Sequence, residues 1–122
     1  MSNLISIVEI PTTNLTRAIS FYQTILGIEI EIASMGDTEM GVLPADGDSV
    51  NVVLINGSDY KPSKEGTLIY LNGADDLSPI LAKAELNGGQ IVVPKTEISP
   101  EMGYFAIFID SEGNRMGLHS VN

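Results

Sequence analysis

The stretch GYFAIFIDSEGNRMGLHS, Gly103 to Ser120, has a fainter counterpart earlier in the chain at GVLPADGDSVNVVLIN. Each copy reads as strand, tight polar turn, strand. Each follows a segment that reads as strand, helix and terminal glycine. In a chain of 122 residues this repetition implies two small modules that build one site between them. Any such site can then be checked position by position in both halves.

The first half opens with LISIVEIP, a strand that Pro11 ends because proline cannot donate to a continuing ladder. TTNLTRAISFYQTILG follows as a helix, with Thr13 or Asn14 as its N-cap. Leu15, Ala18, Ile19, Tyr22, Ile25 and Leu26 recur at helical spacing, and Gly27 supplies the left-handed stop. IEIEIA, MGVLP and SVNVVLI read as strands, the last two joined by the turn ADGD. The second half repeats this order. TLIYLN is a strand, ADDLSPILAKAELNGG a helix capped by Asp76 or Ser78 and ended by Gly88 or Gly89, and QIVVP, GYFAIFI and NRMGLHS are strands. Leu15 maps to Leu77, Gly27 to Gly89 and Asp46 to Asp110. The expected class is α+β, as two βαβββ modules. Module 1 covers about residues 1–56 and module 2 about 67–122, with NGSDYKPSKEG forming an exposed linker over about 57–66.

Bulk properties narrow the partners. One domain of this length can bury a core without staples. There is no cysteine, so disulfides, thiolate metal sites and a cysteine nucleophile are excluded. Sixteen acidic residues against six basic ones give a net charge of −10, spread over both halves. No Lys/Arg cluster is present to neutralise phosphates, so nucleic acid is not an expected partner. No apolar run approaches the roughly 20 residues that span a bilayer, so no membrane role is expected. MSNLISIVEI lacks the basic start and cleavage site of a secretory signal, which favours the cytoplasm.

The fragments VEIP, FYQTILG, EGTLIYLNGADD, GGQIVVPKT and MGYFAIFIDSEGNRMGLHS run in this order over nearly the whole chain. Together they resemble the glyoxalase/bleomycin resistance protein/dioxygenase superfamily, with the vicinal oxygen chelate fold, and within it a small glyoxalase-like bacterial branch. The resemblance implies that the curved mixed sheets of the two modules form a half-barrel cavity. It also implies a homodimer that closes the cavity. Much of the motif is scaffold: Gly113 supplies a left-handed turn residue, and Asp110 can accept from the turn's backbone.

In metal-dependent relatives each module offers two inward-facing His, Glu or Gln ligands, one on its first strand and one on its last. The matching places here are Ile5 and Thr67 on the first strands, and Val53 and Gly117 on the last. Slipping the register to Ile7, Ile55 or Ile69 brings in no better donor. With one histidine in the chain, the expectation is no metal and no cofactor, which argues against a metal-dependent glyoxalase I or extradiol dioxygenase.

Two residues retain chemistry. His119 shares a strand face with Gly117, and Glu9 shares one with Ile5 and Ile7. A Glu9–His119 pair would poise the imidazole as a general base near neutral pH. Each has a plainer reading, His119 as a structural hydrogen-bonder and Glu9 as a partner for Arg17 or Arg115. Two functions follow. The first is a protein that binds a small molecule in the concave cavity, with Ile5, Ile7, Val53, Ile55, Thr67, Ile69 and Gly117 as its lining. The alternative is a metal-independent isomerase or lyase acting on a small oxygenated substrate through His119 and Glu9. Whether there is any turnover stays open at this level.

Overall fold

A computed structural model describes residues 4–47 and 49–122. Met1 to Asn3, part of the N-terminal reading, and Asp48 of the ADGD turn lie outside the described residues. The elements run β1 (Ile7–Pro11), α1 (Leu15–Leu26), β2 (Glu31–Met35), β3 (Thr38–Val42) and β4 (Asn51–Asn56). They continue with β5 (Tyr70–Asn72), α2 (Ser78–Leu86), β6 (Gln90–Ser99), β7 (Gly103–Ile109) and β8 (Arg115–Ser120). The order is βαβββ twice, as the repeat requires.

Each module forms a four-stranded mixed sheet, ordered β1-β4-β3-β2 in the first and β5-β8-β7-β6 in the second. The first strand of each module pairs parallel to the last, and the remaining pairs are antiparallel. Among the described residues the two sheets remain distinct and do not close into a barrel. β1 and β5 each hydrogen-bond, among the described residues, to one neighbouring strand, so each leaves one edge unpaired there.

α1 is the centre of the core. Asn14 accepts the Arg17 N–H at 3.0 Å as its N-cap, and Gly27 ends it in the left-handed region at φ 65°. Ala18, Ile19, Phe21, Tyr22 and Ile25 are all buried, a face broader than one sheet needs. The extra width serves the second module: α1 packs on β3 and β4 and also on α2. Phe21 meets Phe108 of β7 with ring centroids 6.2 Å apart. α2 is weaker in sequence and in structure. Leu77 stands at its N-cap position with no side-chain cap, while the neighbouring Asp76 carboxylate accepts the Ser78 N–H at 2.9 Å. β6 runs on to Ser99, well beyond the expected QIVVP, and it does so with register shifts against β7.

The turn between β7 and β8 locks the modules together. Asp110, buried at 3% exposure, accepts the Glu112 and Asn114 N–H groups at 2.9 Å and the Tyr22 hydroxyl at 2.7 Å. Asn114 then donates to the Pro11 carbonyl at 2.8 Å, and its own carbonyl accepts the Ser63 N–H at 3.1 Å. Glu112 reaches across to the start of α1, where its Oε1 accepts the Thr13 and Asn14 N–H groups at 2.9 and 2.8 Å. Its Oε2 receives Arg17 Nε at 2.7 Å, with the Glu112 side chain fully buried and Arg17 half exposed. The repeat is asymmetric here, because Asp46, the counterpart of Asp110, is exposed.

Candidate functional site

Strand register decides which residues share a face. In the first sheet Ile7 lies opposite Asn51, Glu9 opposite Val53 and Pro11 opposite Ile55. Val8, Ile10, Val52 and Leu54 point the other way, into the core beneath α1. The face away from α1 therefore carries Ile7, Glu9, Val53 and Ile55, joined by Met40 and Val42 of β3. Together with Tyr60 of the linker these bound a cavity of about 430 Å³. Ile5 is exposed at the approach to β1 and lines a neighbouring groove with Val8 and Val52.

In the second sheet Tyr70 lies opposite Gly117 and Asn72 opposite His119. Phe105 pairs with His119 on the other side, and Ile107 with Gly117. The face away from α2 thus carries Tyr70, Asn72, Gly117, His119 and Phe105. The Tyr70 and Phe105 rings meet edge-on at 6.5 Å between centroids. A cavity of about 620 Å³ opens here between Tyr70, Ile98, Met102, His119 and Val121.

Val53 and Gly117 match across the repeat, so their partners Glu9 and Tyr70 also occupy matching positions. The sequence pairing of Ile5 with Thr67 and of Ile7 with Ile69 is therefore out of step with the strands. Its cause is local. Glu9 precedes Leu15 by six residues, but Tyr70 precedes the matching Leu77 by seven, so the second path from strand to helix is one residue longer. An offset taken from the helices does not carry back to the strands. Ile69 packs against the core, and with Thr67 it lines a smaller cavity at the seam between the modules.

Tyr70, which the sequence offers as a phenol donor on a second-module strand, was not among the expected lining residues, yet it stands on this face. A Cβ on Gly117 would come within 2.5 Å of Tyr70 Cδ2 and 2.7 Å of Cε2. The ring fills the space that a side chain at 117 would need. The signal was present as an aromatic residue on a first strand opposite a glycine on a last strand, but only the correct register reveals it.

The two chemistry-bearing residues stand apart within one chain. His119 Nε2 lies 2.6 Å from the Met102 carbonyl, and His119 lines the second-sheet cavity. Glu9 lines the first-sheet cavity beside Tyr60, whose phenol pKa is raised by the nearby carboxylate charge. Arg17, one candidate partner for Glu9, is engaged by Glu112 instead. Among the described residues there is no group of three or more His, Asp or Glu placed to hold a metal ion. No helix of the described residues is long and apolar enough to cross a membrane.

Comparison with known proteins agrees with this geometry. The profile of the Glyoxalase/Bleomycin resistance protein/Dioxygenase superfamily matches residues 4–118. A glyoxylase-like domain-containing protein of Didymella fabae is 29% identical over 113 residues, 90% of this chain and 88% of that protein. Among solved structures, a glyoxylase/bleomycin resistance protein/dioxygenase domain from Frankia superimposes with a TM-score of 0.75 at 15% identity, covering 98% of this chain and 92% of that one. A maize (Zea mays) glyoxalase I mutant gives a TM-score of 0.70 at 18% identity over 95% of this chain. The chain spans 46% of that enzyme's length. At these identities the solved structures show a shared fold.

Proposed function

The chain belongs to the Glyoxalase/Bleomycin resistance protein/Dioxygenase superfamily, and from that premise we propose that it binds a small molecule on the concave faces of its sheets without a resident metal. The observation that carries this reading is the pair of facing positions Glu9–Val53 and Tyr70–Gly117. Val53 and Gly117 offer no donor atom, and a phenol ring covers the second of them. This donor set does not fit a divalent cation that needs several oxygen or imidazole ligands. What remains is two mostly apolar cavities with few polar groups, the usual make-up of a ligand pocket.

A homodimer belongs to the same reading. Among the described residues β1 and β5 each leave one edge unpaired, and Ile5 and Ile7 on or beside β1 are more than half exposed. A second copy covering these edges would bring further walls to both cavities. The alternative, a metal-independent isomerase or lyase using Glu9 and His119, needs those two groups to meet. They line different cavities of one chain, so that reading requires residues from two copies.

Fluorescence titration with Nile red, a neutral apolar dye, tests the binding reading. Saturable binding to the wild-type protein that Val53→Phe abolishes supports it. Absence of binding, or binding unchanged in both Val53→Phe and Met102→Asp, overturns it. Light scattering on the same samples reads the oligomeric state.

A further inference from the structure

Glu9 lines two cavities, one of which also carries several charged side chains. The first is the apolar first-sheet cavity with Tyr60, Met40 and Val53. The second is the seam cavity, about 280 Å³, whose lining includes Lys61, Glu65 and Arg115. The linker is fixed where it crosses this seam. Ser63 N–H donates to Asn114 Oδ1 at 3.1 Å, Arg115 N–H reaches the Ser63 carbonyl at 3.4 Å, and Asn114 is itself tied to Asp110 and Pro11.

The seam's charges form no ion pair among the described residues, and the neighbour that engages Glu9 is the Tyr60 hydroxyl. Among the described residues the ion pairs are Arg17–Glu112 and Lys95–Asp76. Glu9, Glu65, Lys61 and Arg115 belong to neither. They are balanced in sign, two carboxylates and two cations around one small cavity. A simple cation entering the seam would face Lys61 and Arg115, and a simple anion would face Glu9 and Glu65. A molecule carrying both charges on neighbouring atoms satisfies both sets.

We propose that this junction binds a zwitterion with a bulky apolar body, of the class of an α-amino acid with an aromatic or large aliphatic side chain. The ammonium group sits on Glu9, the carboxylate on Arg115 and Lys61, and the side chain in the first-sheet cavity beside Tyr60. The ring of Tyr60 adds a face that an ammonium or a second aromatic group can approach. This inference rests on the reading of the first-sheet cavity as a ligand site, and it names the ligand class of that site.

The test is calorimetric titration of the full chain with L-phenylalanine, phenethylamine and 3-phenylpropionate, which share one apolar body and differ in charge. L-Phenylalanine is expected to bind about tenfold or more tighter than either single-charge analogue, as a charge-assisted hydrogen bond to each end implies. Glu9→Gln should weaken L-phenylalanine and phenethylamine while leaving 3-phenylpropionate unchanged, and Arg115→Met should do the reverse for the two analogues. L-Phenylalanine binding no tighter than phenethylamine, or Glu9→Gln weakening the carboxylate analogue equally, overturns the proposal. If Nile red binds and Val53→Phe removes it, but L-phenylalanine shows no heat, the zwitterion site fails and the cavity reading stands.

Discussion

The ring of Tyr70 lies over Gly117 so closely that a Cβ there would meet Cδ2 at 2.5 Å and Cγ at 2.9 Å. Aromatic ring and glycine are thus one feature, split between the first and last strands of the second module. Gly117→Ala must push the ring off its seat, including atoms near its base. The expected cost is about 1–3 kcal/mol, the range for overpacking. Tyr70→Ala in the same chain should relieve most of that cost. A double-mutant cycle by urea denaturation measures it, and additive effects would show the two residues to be independent.

Glu112 joins the modules more firmly than any other single side chain described. Glu112→Ala strips the acceptor from two backbone N–H groups, the Thr13 hydroxyl and Arg17. About 1–3 kcal/mol of destabilisation is expected, since two part-buried backbone N–H groups and the Thr13 hydroxyl lose their acceptor together. Arg17→Ala should cost about 1 kcal/mol or less, because its guanidinium is half exposed and screened by water. Equal losses in the two variants, read from urea midpoints, would contradict this division.

Acid should act through the same carboxylate. Burial opposes ionisation of Glu112, but the Arg17 guanidinium, the Asn14 N–H and the Ser111 and Thr13 hydroxyls outweigh it and hold its pKa at about 2. The folded value lies below the ordinary 4.5, so its stabilisation is complete above that pH and is lost as the pH falls toward 2. Glu112→Gln should flatten stability against pH across this window. The exposed Asp76, also near 2 through Lys95 and Ser78, gives a residual slope that the variant retains.

At the alkaline end, burial and then the Asp110 charge raise the Tyr22 phenol well above its ordinary value of 10.0. A raised folded pKa means that stability is intact below pH 10 and falls as the pH climbs past it. Tyr22→Phe should remove that alkaline slope, at a cost of about 1 kcal/mol at neutral pH for the lost hydrogen bond to Asp110. Spectroscopic titration of the tyrosines alongside unfolding curves checks both.

Much of this fold was legible because periodicity and punctuation are local. The apolar face of α1, its Asn14 cap and Gly27 stop, and the strand GYFAIFI all fall where the sequence puts them. The faces of the site were harder to read. A strand's side chains alternate, so a one-residue error in matching Ile69 or Tyr70 to the first module exchanges core for cavity. That error came from the longer connection before α2, whose length no motif reports. Glu112 was likewise hidden. Its partners Thr13 and Arg17 lie almost a hundred residues away, and nothing in DSEGN shows that the turn will meet a helix start in the other module.

His119 is fixed in one tautomer by its neighbour. The Met102 carbonyl can only accept, so His119 Nε2 at 2.6 Å must carry the proton and donate it. In the neutral ring Nδ1 is then the basic nitrogen, the atom available to a ligand or to a proton transfer in the second-sheet cavity. Long-range nitrogen–proton correlation spectra of the neutral imidazole should show the Nε2–H tautomer as dominant. Met102→Ala, which keeps both the carbonyl and the N–H that donates to Ser99 Oγ at 3.0 Å, should preserve that signature, whereas deleting Pro100 to Met102 should let the tautomers mix. A dominant Nδ1–H form in the wild-type protein would place the basic nitrogen against Met102 and remove His119 from any acid/base role in this cavity.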